Sequence, residues 1–400
     1  MTRVVTRALP SAVGKRLIDL APNGSSIFIR GEQGLIGWGE AKRFVATGPN
    51  RISELAGAWR DYVDELEVDD SLEVPGSGPI AFGAIAFADD SASESTLLMP
   101  RVVIGRRDER YWITTVDDAE LPKVTAWGEN QPVNFEPGQL GRSEFAELVD
   151  RAVKLIEAGS LEKVVLARDL VAEVPSSFDI RPALAKLQNR YPSCWVYAVD
   201  GMFGASPELL VRVSHSQVSA RVLAGTAARG TDPSVDLAIS KALAESHKNL
   251  AEHEFAVRSL VTALEPFCDH VDADTEPFSL QLPNLWHLAS DVHGVLKEEG
   301  SVLDLASALH PTAAVAGTPR AEALKVISQL EPFDRGRYAG PVGWIGSDGD
   351  GEWVIALRGA QLTGNRITAF AGCGVVSESD GESELTETDL KFQPILGALS

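Results

Sequence analysis

The chain has 400 residues, 44% hydrophobic and 23% charged, a composition that excludes disorder and points to a soluble globular protein. Its net charge of −21 argues against nucleic acid or an anionic membrane surface as a partner, and an anionic ligand would need a local cation. Three separated cysteines, Cys194, Cys268 and Cys373, without a CxxC pair, argue against a disulfide framework or a structural zinc site; no apolar run reaches membrane-spanning length, so the cytoplasm is the expected home.

In chain order, the first part, to about Pro137, alternates short apolar stretches with polar turns. Ser26–Ile29, Pro79–Phe87, Arg101–Gly105 and Tyr111–Val116 are predicted strands, and residues 130–141 are the candidate linker. Ser143 is the expected N-cap of a helix whose stripe is Phe145, Leu148, Val149, Ala152 and Ile156, with Gly159 as its stop. Strands follow at 161–168, 194–200, 209–213 and 218–222. One long helix is predicted over Ser240–Leu264, then strands at 285–292, 353–357 and 367–370, and a last helix from about Glu384. Successive strands without intervening helices favour antiparallel sheets flanked by helices.

Several short motifs fail. Gly372–Ser377 misses the last glycine of GxGxxG, Asp348–Glu352 lacks the calcium-loop order, and His253-Glu254 has no second histidine at the zincin spacing. GxSxG and the phosphate-binding P-loop pattern are absent.

The residues that stand out are ionisable groups in apolar settings. Lys163 opens the run Lys163-Val164-Val165-Leu166-Ala167; it is either a solvated strand-end lysine or a desolvated base. Glu208 precedes Leu209-Leu210-Val211, as a turn residue or as an acid with a raised pKa. Glu384 and Glu387 share a helix face, which is either a solvated acidic face or a divalent-cation site with oxygen ligands. Glu252 flanks the apolar stripe of the long helix, whereas His253 lies within it and reads as a hydrogen-bonded core histidine. His287, inside Leu285-Trp286-His287-Leu288, is a core histidine or a neutral pocket donor. Arg358 follows an apolar strand and is suited to a carboxylate of a ligand or of the protein.

Taken in order, Leu161–Arg168 (LEKVVLAR), Gly204–Leu210 (GASPELL), Leu223–Arg229 (LAGTAAR), Ala251-Glu252-His253, Leu285–Leu288, Leu309–Thr312 (LHPT), Pro332–Trp344 (PFDRGRYAGPVGW), Ala356–Arg358, Ala371–Val376 and the Glu384/Glu387 pair resemble the chorismate-utilising enzymes. These include isochorismate, salicylate, anthranilate and aminodeoxychorismate synthases. The resemblance runs from about Ser143 to the C-terminus. It implies one large α+β domain of the anthranilate-synthase-component-I type, two large antiparallel sheets flanked by helices. Residues 1–140 would form an N-terminal sheet-forming part of that domain, and residues 141–400 the chorismate-binding catalytic region.

Within the family, lysine at the position of Lys163 implies that water is activated, where anthranilate synthases usually carry glutamine and use ammonia. Alanine at 224, in place of the nucleophilic lysine of aminodeoxychorismate synthases, implies the same. The expected activity is Mg²⁺-dependent conversion of chorismate to isochorismate, by water addition at C2 and loss of the C4 hydroxyl. Lys163 would be the base and Glu208 the acid. Glu252, Glu384 and Glu387 would hold Mg²⁺, and Gly225, Thr226, His287, Ala314, Val315, Tyr338, Arg358 and Gly372 would contact substrate. No glutaminase subunit is expected, and the chain would be a monomer or homodimer. Ala313 and Val315 stand where isochorismate synthases commonly have proline and leucine, and the smaller Val315 implies a pocket tolerant of some pyruvate elimination. The neighbouring alternatives are a salicylate synthase and a chorismate-binding protein without activity.

Overall fold

A computed structural model describes residues 2–10, 16–120, 125–128, 131–281, 285–298 and 300–400; the side chains of residues 224, 226, 248, 251 and 252 are not among those described. Among the described residues, two large sheets account for the strands. The first, of thirteen strands, runs from Glu136–Pro137 through Lys163–Glu173, Arg366–Val375, Gly359–Thr363, Met202–Ser206 and Trp195–Val199. It continues through Ser26–Arg30, Gln33–Trp38, Val102–Arg107, Arg110–Val116 and Arg3–Leu9 to Glu67–Asp69, with Gly317–Thr318 added on Lys163–Glu173. The second, of ten, includes Leu285–Leu296, Gln217–Ala228, Leu209–Ser214, Gly351–Ile355, Pro341–Gly346 and Ile80–Ala84. Pairing is antiparallel apart from Arg3–Leu9 with Glu67–Asp69, so the predicted α+β architecture holds. Each sheet contains strands from before and after residue 140.

The layer between the sheets is apolar. Phe28, Trp112, Trp195 and Tyr197 of the first sheet pack with Phe82, Leu209, Trp344 and Val354 of the second in one buried cluster. Helices cover the outer faces. Arg142–Glu157 buries Phe145, Leu148, Val149, Ala152 and Ile156, the predicted stripe. Leu184, Phe392 and Ile395 pack in the cluster on the outer side of the first sheet. No described helix is long and apolar enough to cross a membrane, and all three cysteines are buried and free.

Four local expectations are corrected. The helix predicted over Ser240–Leu264 is two helices, Pro233–Glu245 and His247–Leu264. Ser246 between them is extended, and its hydroxyl caps the second helix by accepting from Asn249 N at 3.3 Å. The helix after residue 141 has Gly141, not Ser143, as its N-cap, because the Glu144 carboxylate accepts from Gly141 N at 2.7 Å. The predicted strand 353–357 is Gly351–Ile355; Ala356 and Leu357 lead instead into Arg358, whose φ of 51° turns the chain. The described part of the candidate linker is strapped to the fold. Glu136 and Pro137 pair with Val171 and Leu170, and Gln139 N donates to the Asp169 carboxylate at 2.9 Å. Asn130 lies outside the described residues. Helices Arg51–Val63, Arg181–Arg190, Val302–Leu309 and Arg320–Leu330 have no counterpart in the sequence reading.

The two-residue strand Gly317–Thr318 meets the start of the Lys163 strand, pairing Lys163 with Thr318 and Val164 with Gly317. Gly317 has φ of +134°, and a Cβ there would lie 2.2 Å from Lys163 O and 2.8 Å from Val164 Cα. Both contacts are backbone, so relief requires moving a strand. Gly317→Ala should therefore lower the unfolding free energy by about 1–3 kcal/mol, read from urea denaturation; an unchanged midpoint would refute this account of the contact.

Candidate active site

Lys163 is the first residue of the strand Lys163–Glu173, and its side chain crosses the neighbouring strand at Gly374. A Cβ on Gly374 would sit 2.8 Å from Lys163 Cε, so glycine clears the path of the lysine. Glu208 lies just before Leu209–Ser214, in the crossing from the first sheet to the second. Its backbone is held at both ends, by Glu208 N donating to Ser206 Oγ (3.2 Å) and Glu208 O accepting from Ile355 N (3.1 Å). The carboxyl itself has no hydrogen-bond partner among the described residues. Burial pushes its pKa up to about 7, against the opposing pull of Arg358, Lys391 and Lys163.

Both residues line one cavity of about 480 Å³. Gly225, His287, Ala314 and Val315 line it too, as do Tyr338, Arg358, Gly372, Glu384 and Glu387, so these predicted residues are brought together. The side chains of Thr226, Glu252 and Ala224 lie outside the described residues. His253 is not brought in: it is buried and shares a 2.9 Å hydrogen bond with Ser290 Oγ.

Arg358 is half-buried, and its guanidinium makes no hydrogen bond or ion pair among the described residues. Its backbone is clamped: Ala205 N donates to Arg358 O (3.3 Å) and Tyr197 Oη donates to Leu357 O (3.0 Å). An unpaired guanidinium on a fixed backbone, facing a cavity, is a receptor for an anion. Tyr338 stacks on Phe370 with ring centroids 5.0 Å apart, and burial raises its pKa to about 12, so its hydroxyl stays protonated. His287 is buried and lowered to about 3, first by burial and then by the charges of Arg358 and Lys391, so it is a neutral ring.

The helix Gly381–Ala398 supplies the acidic end. Glu384 is raised by burial and by its neighbour Glu387, and Ser379 Oγ donates to Glu384 Oε1 at 2.7 Å. Glu384 Oε2 is buried without a hydrogen-bond partner. For Glu387 burial also acts upward, but the charge and hydrogen bond of Lys391 outweigh it and hold the carboxyl low. An orphaned carboxylate oxygen beside a second, ionised carboxylate fits a hard divalent cation. Among the described residues no group of three or more ligating side chains is assembled, and the side chain of Glu252 lies outside them.

Sequence reasoning missed Lys391, whose ammonium donates to Glu387 (2.5 Å) and to Gly372 O (2.8 Å) on the cavity wall. Its signal was present: Glu387 and Lys391 are one helical turn apart, on the face that carries Glu384. Glu331 and Arg335 were missed as a pair. Their side chains are 1% and 2% exposed and 2.6 Å apart. Glu331 accepts from Ala167 N at 2.8 Å, and Arg335 donates to Val165 O at 2.7 Å and Val315 O at 2.9 Å. One ion pair thus ties the strand of Lys163 to the segment carrying Val315.

The chorismate binding enzyme family matches residues 18–125 and 116–400. A Mycobacterium tuberculosis protein assigned as the isochorismate synthase MenF is 37% identical over 372 residues, covering 89% of this chain and 95% of its own. The isochorismate synthase DhbC of Bacillus subtilis is 31% identical, covering 88% of each. The structure of MenF, the menaquinone-specific isochorismate synthase of Escherichia coli, superposes with a TM-score of 0.84 at 23% identity, covering 100% of this chain and 95% of its own, and so shares the fold.

Removing one member of the Glu331–Arg335 pair strands a buried charge. Arg335→Met should cost about 3–5 kcal/mol of stability, whereas Arg335→Met combined with Glu331→Gln should recover much of that loss. Urea unfolding of both variants checks this, and an equal loss in the two would show that charge pairing is not the cause.

Proposed function

The chain belongs to the chorismate-binding enzyme family, and on that premise we propose that it is an isochorismate synthase that adds water to C2 of chorismate and expels the C4 hydroxyl. The observation that carries the reading is the shared cavity, which places a lysine from one sheet and a buried, unpartnered carboxyl with a pKa of about 7 beside an unpaired guanidinium. Its tests are turnover and product identity.

Chorismate carries two carboxylates, and the cavity offers a separate place for each. Arg358, with the Tyr338 hydroxyl, holds the enolpyruvyl carboxylate; the backbone at Gly225 and Gly372 lets the substrate approach closely. The ring carboxylate lies toward Lys391 and the glutamates. Glu252 and Glu387 would ligate Mg²⁺ directly, with Glu384 close by or through a water. When bound there, Mg²⁺ would supply positive charge for the ring carboxylate, which would let an acidic chain hold a dianion. Lys163, as the base, takes a proton as water attacks C2. Protonated Glu208 gives its proton to the departing C4 hydroxyl. The neutral His287 ring orients the C4 side without adding charge. Acid and base each contribute roughly 10²–10⁴-fold.

Incubation with chorismate and Mg²⁺ should yield isochorismate as the separated product. Salicylate with pyruvate would instead make it a salicylate synthase, and chorismate binding without turnover would make it a binding protein. Lys163→Ala and Glu208→Gln should each lower turnover by at least about 10²-fold while chorismate still binds, and EDTA should stop the reaction. The general acid works only when protonated, and Glu208 is protonated below its raised pKa. kcat/KM should therefore fall as pH rises through about 7, and a flat profile from pH 6 to 8.5 would reassign the acid.

A further inference from the structure

Glu208 faces two cavities. Besides the one described, a second of about 270 Å³ shares Glu208, Leu223 and Ala314 with it and extends in another direction. Its inner wall is buried, with Glu208 at 7%, Leu223 at 8% and Leu309 at 4% exposure. Its outer wall reaches the surface at Phe255, which is 47% exposed, and at the exposed Pro319 and Arg320. The first cavity meets solvent elsewhere, at the exposed Glu378, Asp380 and Ser383. Glu208 therefore stands between two openings.

The proposed reaction needs both. In each turnover the C2–O bond forms from a water oxygen, the ring double bonds shift, and the C4–O bond breaks. Lys163 gains one proton, Glu208 loses one, and the C4 oxygen leaves as water carrying the Glu208 proton. The next turnover requires Glu208 to regain a proton and Lys163 to lose one. In the proposed reaction, a substrate or product held between Arg358 and the glutamates would lie between Glu208 and that mouth.

We propose that the second cavity is the water and proton route of Glu208, through which the C4 water leaves and the carboxyl is reprotonated while the ring is still bound. The inference rests on the isochorismate synthase reading. The walls of the cavity suit a water route. Apolar surface from Leu260, Ala263 and Pro311 does not retain water, while Ser259 and Thr312 provide hydroxyls along the way.

The test fills the route without touching the first cavity. Ala263→Phe blocks it at a half-buried wall position, and Ser259→Trp blocks it at an exposed rim position where folding tolerates the change. The expected result is a kcat lowered about tenfold or more, KM for chorismate unchanged within about threefold, and a D₂O effect on kcat larger than in the wild type, because proton return becomes slow. A kcat within twofold of wild type in both variants would overturn the proposal, as would a lowered kcat without a larger D₂O effect. Absence of isochorismate from the wild-type protein would refute the underlying reading instead, so the two failures are distinguishable.

Discussion

The strand that carries Lys163 is held on one edge by a neighbouring strand and on the other by two short strands with a buried ion pair between them. Along one edge, residues 164–173 pair continuously with Arg366–Val375. Along the other, Gly317–Thr318 covers residues 163 and 164, and Glu136–Pro137 covers 170 and 171. Between them Val165 N donates to Ala316 O, and the Glu331 carboxylate and Arg335 guanidinium take the place of a strand for Ala167 N and Val165 O. Desolvating such a pair costs several kcal/mol per ion, and the cost is offset only when the remaining donors and acceptors are satisfied. Here Arg335 reaches two carbonyls besides Glu331, and its backbone carbonyl accepts from Tyr338 N at 3.0 Å. The pair therefore fixes the lysine strand, the Val315 segment and the tyrosine relative to one another. A hydrophobic replacement would fill the volume but could not specify three backbones at once.

The second constraint is electrostatic. Three carboxyls of the same cavity sit in different environments. Glu208 is raised to about 7 by burial, Glu384 is raised by burial and a like charge, and Glu387 is kept low by Lys391. Carboxyls pushed apart in this way take different roles, and the group that stays protonated near neutrality is the one able to donate. The net charge of −21 does not prevent binding of a dianion, because cations converge where they are needed: Arg358 and Lys391 both line the cavity.

Lys163 and Glu208 stood out in the sequence for the same reason: an ionisable residue beside a β-branched or leucine-rich run conflicts with local burial, and both line the cavity. The stripe of Arg142–Glu157 was legible because its period was unbroken. The break at Ser246 was not, since a serine inside a helical pattern also fits the helix surface, and only its extended backbone and its bond to Asn249 N reveal a cap. Arg181–Arg190 was hidden for a related reason: two arginines and Gln188 mask its stripe, although Arg181 and Gln188 are themselves buried by bonds to Asp179 and Gly31 O. The Glu331–Arg335 pair could be read as an i,i+4 contact but not as a buried one, because its burial depends on a strand some 170 residues earlier in the chain.

The proposed acid and base come from different parts of the fold, and the proposed reaction gives a reason. Displacement at C2 with departure from C4 requires two proton transfers at separate ring positions, so the two groups must be spaced by a substrate and tuned independently. On one helix or one strand, a lysine and a glutamate a turn or two residues apart would pair and cancel. Here Lys163 is set by Gly374 and the Glu331–Arg335 pair within the first sheet, while Glu208 is set by Ser206 and Ile355 where the chain passes into the second. Their backbones are therefore anchored by separate contacts, although the charge of Lys163 still acts on the Glu208 carboxyl. Val164, Leu166 and Ala167 of the Lys163 strand pack in one buried cluster with Leu210 and Val211, which follow Glu208, so a close-packed core lies between the two segments. In the proposed reaction the ring would lie between these two groups, in the cavity that both of them line.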